Sequence, residues 1–155
     1  MSTITLSAED RLDISQLGSI YAWGIDHRES EVFSLVFAEE FIVRYSETTV
    51  LRGFEQFRRY VHEYHAMHDA TQHFIANHWI LPREDEVLCH SYVILTMALA
   101  DYPGGGIFQA GAYYNDRVVR TGSGWRIAER DAHGLWSNGN RALSDLGQQA
   151  VKHLL

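Results

Sequence analysis

Apolar side chains recur along the first third of the chain at intervals of three and four. Leu12, Ile14, Leu17, Ile20, Tyr21 and Trp23 fall on one stripe between Ser7 and Gly24, the period of an amphipathic helix. Ser7 followed by Asp10 has the form of a capping box, and Glu9, Asp10 and Asp13 suit the positive end of the helix dipole. A short second helix is expected over 30–37, with Val32, Phe33, Val36 and Phe37 inward, before Phe41–Tyr45 turns to strand. Thr48–Leu51 reads as another short strand. Gly53 then opens a helix that turns Phe54, Phe57, Tyr60, Val61 and Tyr64 to its inner face.

From Thr71 the period changes. Four long β-rich runs follow, at 71–81, 87–100, 107–121 and 125–136, separated by Pro82–Glu86, Pro103–Gly106 and Gly122–Gly124. Helices first and antiparallel strands afterwards predict an α+β domain with helices packed on one face of a curved sheet that encloses a cone. The segment from 141 to 155 reads as a weakly helical tail that covers a sheet edge or a neighbouring subunit.

With 155 residues and 46% apolar content, a single domain is expected. Thirteen basic against twenty acidic side chains give a net charge of −7 without a basic cluster, which argues against a nucleic-acid partner. The lone cysteine, Cys89, excludes an internal disulfide and multi-cysteine zinc sites. The N-terminal residues lack the basic and apolar regions of a signal peptide, and no apolar run approaches membrane-spanning length. Cytoplasmic localisation is the resulting expectation.

The sharpest chemical signal is His73, within Thr71-Gln-His-Phe-Ile-Ala-Asn77, an imidazole in a run that reads as buried strand. It is a candidate general base, and equally a satisfied core histidine. Alternation places His73, Ile75, Asn77 and Trp79 on one face and Gln72, Phe74, Ala76 and His78 on the other. Polar groups sparse among large apolar ones suit a ligand pocket. Tyr21 and Asp26, five residues apart, would point away from each other on a continuous helix, so a helix stop near Gly24 is expected if both face one cavity. Asp26 could then hold the imidazole tautomer, and Tyr21 could donate to a substrate carbonyl. Taken singly, Tyr21 also reads as a core aromatic and Asp26 as a loop acid.

Histidines concentrate at 62, 65, 68, 73 and 78, with Glu63 and Asp69 near them. No H-E-x-x-H spacing accompanies them, which argues against a metal site although Glu63 and Asp69 leave one open, and His62, His65 and His68 read as an exposed helix face and end. Arg130 could bind a substrate carboxylate or pair with Asp116 or Glu129.

Taken together, the segment around Tyr21 and Asp26, the Thr71–Asn77 strand, Gly111–Asp116, Arg120…Arg130 and Trp136…Asn140 resemble SnoaL-like proteins of the NTF2-like cone fold. Their placement of Tyr, Asp and His is most similar to the branch holding scytalone dehydratase, bile-acid 7α-dehydratase and hexachlorocyclohexane dehydrochlorinase. The resemblance implies a curved, mixed or mostly antiparallel sheet with about three helices on its concave face. It also implies a cofactor-independent elimination on an apolar, cyclic, hydroxylated carbonyl compound. His73 would be the base, Asp26 its partner and Tyr21 the hydrogen-bond donor; Tyr92, Arg130 and Asn77 would contact substrate. An isomerase, a polyketide-type cyclase and a non-catalytic ligand-binding module stand as alternatives. Members of this branch imply a homo-oligomer, a trimer or alternatively a dimer.

Overall fold

A computed structural model describes residues 4–155. Helix α1 (Ala8–Asp26) opens on the capping box: Ser7 Oγ accepts from the Asp10 amide, and the Asp10 carboxylate accepts from the Ser7 amide at 2.9 Å. A 3₁₀ turn (Ser30–Leu35) leads into β1 (Phe37–Arg44), β2 (Val50–Arg52) and α2 (Gly53–His65). Four long strands follow, β3 (Ala70–Pro82), β4 (Val87–Ala98), β5 (Ile107–Thr121) and β6 (Gly124–Gly139), and α3 (Ala142–Val151) ends the series. The strands form one sheet in the order β2-β1-β6-β5-β4-β3, in which only β1 and β6 run parallel. This is the expected α+β cone: a curved, mostly antiparallel sheet with three main helices. None of the described helices is long and apolar enough to cross a membrane.

One aromatic-rich core joins α1, the 3₁₀ turn, β1 and α2, where Phe33, Phe37 and Phe57 pack with ring centres 4.9–6.5 Å apart. Gly24 belongs to this core. A Cβ there would lie 2.5 Å from Val32 and 2.9 Å from Phe33, so this glycine allows close packing and does not stop the helix, which continues to Asp26. The expected break near Gly24 is therefore corrected.

The alternation along β3 is also interrupted. Asn77 has φ +59°, and the pairing with β4 shifts register between Ala76 and Trp79, which marks a bulge. Beyond it the faces swap. His78 turns toward α1, where its Nε2 lies 2.8 Å from the position of a Cβ on Gly18, and Trp79 is 61% exposed. The predicted division, with Trp79 beside His73 and His78 opposite, holds only as far as Ala76.

Candidate active site

The end of α1 lies against the start of β3, and a carboxylate and an imidazole meet there. His73 Nδ1 and Asp26 Oδ1 are 2.7 Å apart; the backbone N–H of His73 donates to Asp26 Oδ2 at 2.7 Å, and Thr71 Oγ1 donates to Oδ1 at 3.2 Å. Three donors on one carboxylate fix its orientation. A carboxylate only accepts, so the imidazole carries its proton on Nδ1 and leaves the Nε2 lone pair unused. The His73 side chain is 5% exposed and that of Asp26 13%, conditions in which their mutual attraction is weakly screened.

Tyr21 lies one helical turn and a half before Asp26 and is fully buried. Its ring meets that of His73 edge-on at 6.1 Å, and its hydroxyl is hydrogen-bonded to that of Tyr45, just beyond β1. Tyr114, from β5, packs edge-on against Tyr21 at 6.0 Å. Burial raises the pKa of all three phenols well above the ordinary value, so they act as protonated donors. Stacked rings carry this wall onward, Tyr45 on Tyr60 at 5.6 Å and Tyr60 on Tyr64 at 5.5 Å.

Behind the tyrosines, the Arg130 guanidinium sits over the rings of Tyr21 and Tyr114 at 4.2 and 4.1 Å. It donates two 2.7 Å hydrogen bonds to Asp116 and is 1% exposed. Burial disfavours its charge, but the Asp116 carboxylate outweighs that penalty and holds the guanidinium ionised.

His73 and the tyrosines border a cavity of ≈ 540 Å³, within the ordinary range of small-molecule sites. His73, Tyr21, Tyr45, Tyr60 and Tyr64 line it, and Val93, Leu95 and Met97 form an apolar side. On the sheet, Ala110, Ala112, Ala132 and Gly134 leave the floor bare; a Cβ on Gly134 would touch nothing. Small residues in register on β5 and β6 are what open the space between sheet and helices.

Of the expected site residues, Tyr21, Asp26 and His73 come together. Three others do not reach the cavity. Arg130 is paired with Asp116, the second of its two readings, and does not line the cavity. Asn77 is exposed at the bulge, and Tyr92 is 57% exposed on the outer face of β4; neither lines the cavity. The histidine reading also changes: His62 is exposed, but His65 and His68 are buried, with His68 Nε2 donating to the Leu143 carbonyl at 2.8 Å. Among the described residues no three His, Cys, Asp or Glu side chains converge as a set of metal ligands. Of the other lining residues, Tyr45, Tyr60, Tyr64 and Tyr114 show in the sequence only as aromatic positions of helix or strand, and His65 reads there as part of an exposed helix face.

The SnoaL-like domain model matches residues 6–131. No curated protein sequence matches the chain. Among solved structures, a protein from Kribbella flavida superposes with a TM-score of 0.81 at 21% identity, over 90% of this chain and 99% of that one. A scytalone dehydratase candidate from Novosphingobium aromaticivorans gives 0.74 at 17% identity, over 86% and 92%. The type-3 hexachlorocyclohexane dehydrochlorinase LinA from Novosphingobium barchaimii gives 0.73 at 17% identity, over 86% and 94%. At such identities the likeness is one of fold.

Proposed function

Because this chain belongs to the SnoaL-like domain family, we propose that it is a cofactor-independent lyase that dehydrates an apolar, cyclic β-hydroxycarbonyl compound. The observation that carries the reading is the 2.7 Å contact between Asp26 and His73 Nδ1, which leaves Nε2 free to act as the base in the cavity that His73 lines. Similarity to folds that include a dehydrochlorinase and a dehydratase candidate supports elimination over other chemistry. A pocket with one oriented base and buried phenol donors needs no further group for such a step.

In the proposed reaction His73 Nε2 takes the proton from the carbon α to the carbonyl. The C–H electron pair moves to form an enolate, whose oxygen accepts a hydrogen bond from the Tyr21–Tyr45 hydroxyl pair. Asp26 stabilises the imidazolium that results. As the carbonyl re-forms, the bond from the β carbon to oxygen breaks, and the leaving hydroxide takes the proton from His73 Nε2–H to depart as water. The product is an α,β-unsaturated carbonyl compound. Arg130, held beneath Tyr21 and Tyr114, keeps positive charge behind the rings and so favours negative charge on the oxygen that the phenols hold.

A β-hydroxytetralone tests this directly, because its dehydration product tautomerises to a fluorescent naphthol. The native protein is expected to form naphthol, and His73→Ala to abolish turnover with the fold intact by circular dichroism. Full activity in His73→Ala would sink the mechanism. An isomerase in the same pocket would exchange the α proton of such a ketone without releasing naphthol.

Self-association is part of the same proposal. On the outer face of the sheet Phe74 pairs with Ile94 and Tyr92 with Tyr113, and Phe74, Tyr92 and Ile94 are 67%, 57% and 40% exposed. An apolar face of this kind suits a homo-oligomeric contact, a trimer or a dimer. Phe74→Glu should lower the mass measured by analytical ultracentrifugation; a monomeric native protein would contradict the expectation.

A further inference from the structure

The last residue of α2 brings a second imidazole to the cavity. His65 lines it beside the base, 5% exposed, with its ring centre 5.8 Å from that of His73. Its Nδ1 is sealed from solvent and has no partner among the described residues, and no hydrogen bond engages Nε2 either. The surroundings hold the ring in place. Tyr64 packs on it at 5.1 Å, and Arg28, just beyond α1, donates to the backbone carbonyls of both His65 and His68 at 2.7 Å.

Beside Tyr64, whose phenol burial keeps protonated, the groups that face His65 are His73 from β3, His68 beyond α2 and Arg28 beyond α1. Each is cationic when charged. Burial first, and these neighbours after it, push its pKa well below the ordinary histidine value, so His65 is a neutral imidazole. A neutral imidazole has one N–H. Enclosing that N–H at Nδ1 without an acceptor costs more than enclosing a lone pair there, so the proton belongs on Nε2. His73 has the opposite arrangement, with its proton on Nδ1 toward Asp26. Two imidazoles of opposite polarity thus stand side by side, one an acceptor and one a donor.

We infer that His65 is a further substrate-contacting residue, whose Nε2–H donates to a second oxygen of the bound molecule, so that the site selects compounds with two oxygen functions over those with one. The inference deepens the lyase reading: the carbonyl oxygen goes to the tyrosine pair, and the β-oxygen to His65. His65 keeps its proton throughout, and the leaving hydroxide is protonated by His73.

The test separates this contact from the reaction by using inert, product-like probes in titration calorimetry. Naphthol carries one oxygen, and the dihydroxynaphthalene with its second hydroxyl at the former β carbon carries two. The native protein should prefer the dihydroxy probe by roughly fivefold, the equilibrium value of one hydrogen bond of ordinary net strength. His65→Phe should reduce the preference to about one, and His65→Gln, which keeps an N–H donor, should restore part of it. Survival of the preference in His65→Phe overturns the inference, as does equal binding of both probes, or binding of neither, by the native protein. A preference that follows His65 in a protein that never dehydrates β-hydroxytetralone would leave the contact standing and remove the lyase reading. Long-range ¹H–¹⁵N spectra of the native protein provide a check that needs no variant. They should show His65 as the Nε2–H tautomer, and an Nδ1–H tautomer contradicts the assignment.

Discussion

Replacing Asp26 by Asn removes one charge and one acceptor while keeping the shape of the side chain. Asp26 receives the His73 amide on Oδ2, and the His73 ring with the Thr71 hydroxyl on Oδ1. An asparagine side chain has a single acceptor oxygen. The backbone N–H of His73 cannot turn away, so in Asp26→Asn the new amide oxygen will face it and the NH₂ will face the ring. His73 must then accept at Nδ1 and move its proton to Nε2, which removes the lone pair that acts as the base. The lost charge adds to this effect. With Nδ1 and Oδ1 2.7 Å apart, the charge centres of an imidazolium and a carboxylate lie about 4 Å apart, an attraction of about 4 kcal/mol at an effective dielectric constant of about 20. At about 1.4 kcal/mol per factor of ten this corresponds to roughly 10³-fold in rate. The same Asp-to-Asn replacement in a serine protease, with loss of charge and wrong tautomer together, costs about 10⁴-fold. A kcat at least about 10³-fold lower, with little change in KM, is expected for Asp26→Asn in the naphthol-release assay, together with an Nε2–H signal for His73. Retention of more than a tenth of native activity would refute the coupling of tautomer to turnover.

Other consequences follow from the same contacts. Ala132→Leu places a branched side chain on the bare floor of the cavity, so naphthol affinity should drop at least about tenfold in calorimetry while the melting temperature stays within a few degrees. Asp116→Leu strands the Arg130 charge in the core and should cost about 3–5 kcal/mol, a fall in Tm on the order of ten degrees by differential scanning calorimetry; Asp116→Leu with Arg130→Met should recover most of it. The depressed pKa of His65 means that below about pH 6.5 the unfolded chain binds a proton that the native protein refuses. Its contribution is therefore complete above that pH and is lost as the pH falls, by at most about 1.4 kcal/mol per pH unit. Denaturant melts from pH 7 to 5 should show a shallower loss for His65→Phe than for the native protein; parallel losses would contradict a neutral His65.

Features whose cause is local are legible in the sequence. The Ser7–Asp10 box and the period-two runs after Thr71 depend on near neighbours, and each appears as the spacing predicts. Gly24 misled because its role depends on Val32 and Phe33 across a turn, a contact that spacing along one helix does not reveal. Asn77 misled for a related reason: one residue with positive φ inserts a bulge, and everything after it on β3 changes face. The Tyr21, Asp26 and His73 set came from family resemblance joined to residue chemistry, since nothing in the period of α1 says which β-strand meets its end. Tyr45 and Tyr114 were invisible as site residues because each acquires its role by meeting Tyr21 from a distant part of the chain.

The central claim is that His73, oriented by Asp26, abstracts a proton α to a carbonyl in this cavity. Proton exchange on α-tetralone in D₂O, followed by ¹H NMR, tests that step without requiring elimination or the physiological substrate. The native protein should wash deuterium into the α position at a rate that disappears in His73→Ala. Exchange that is absent in the native protein, or unchanged in the variant, would contradict the claim.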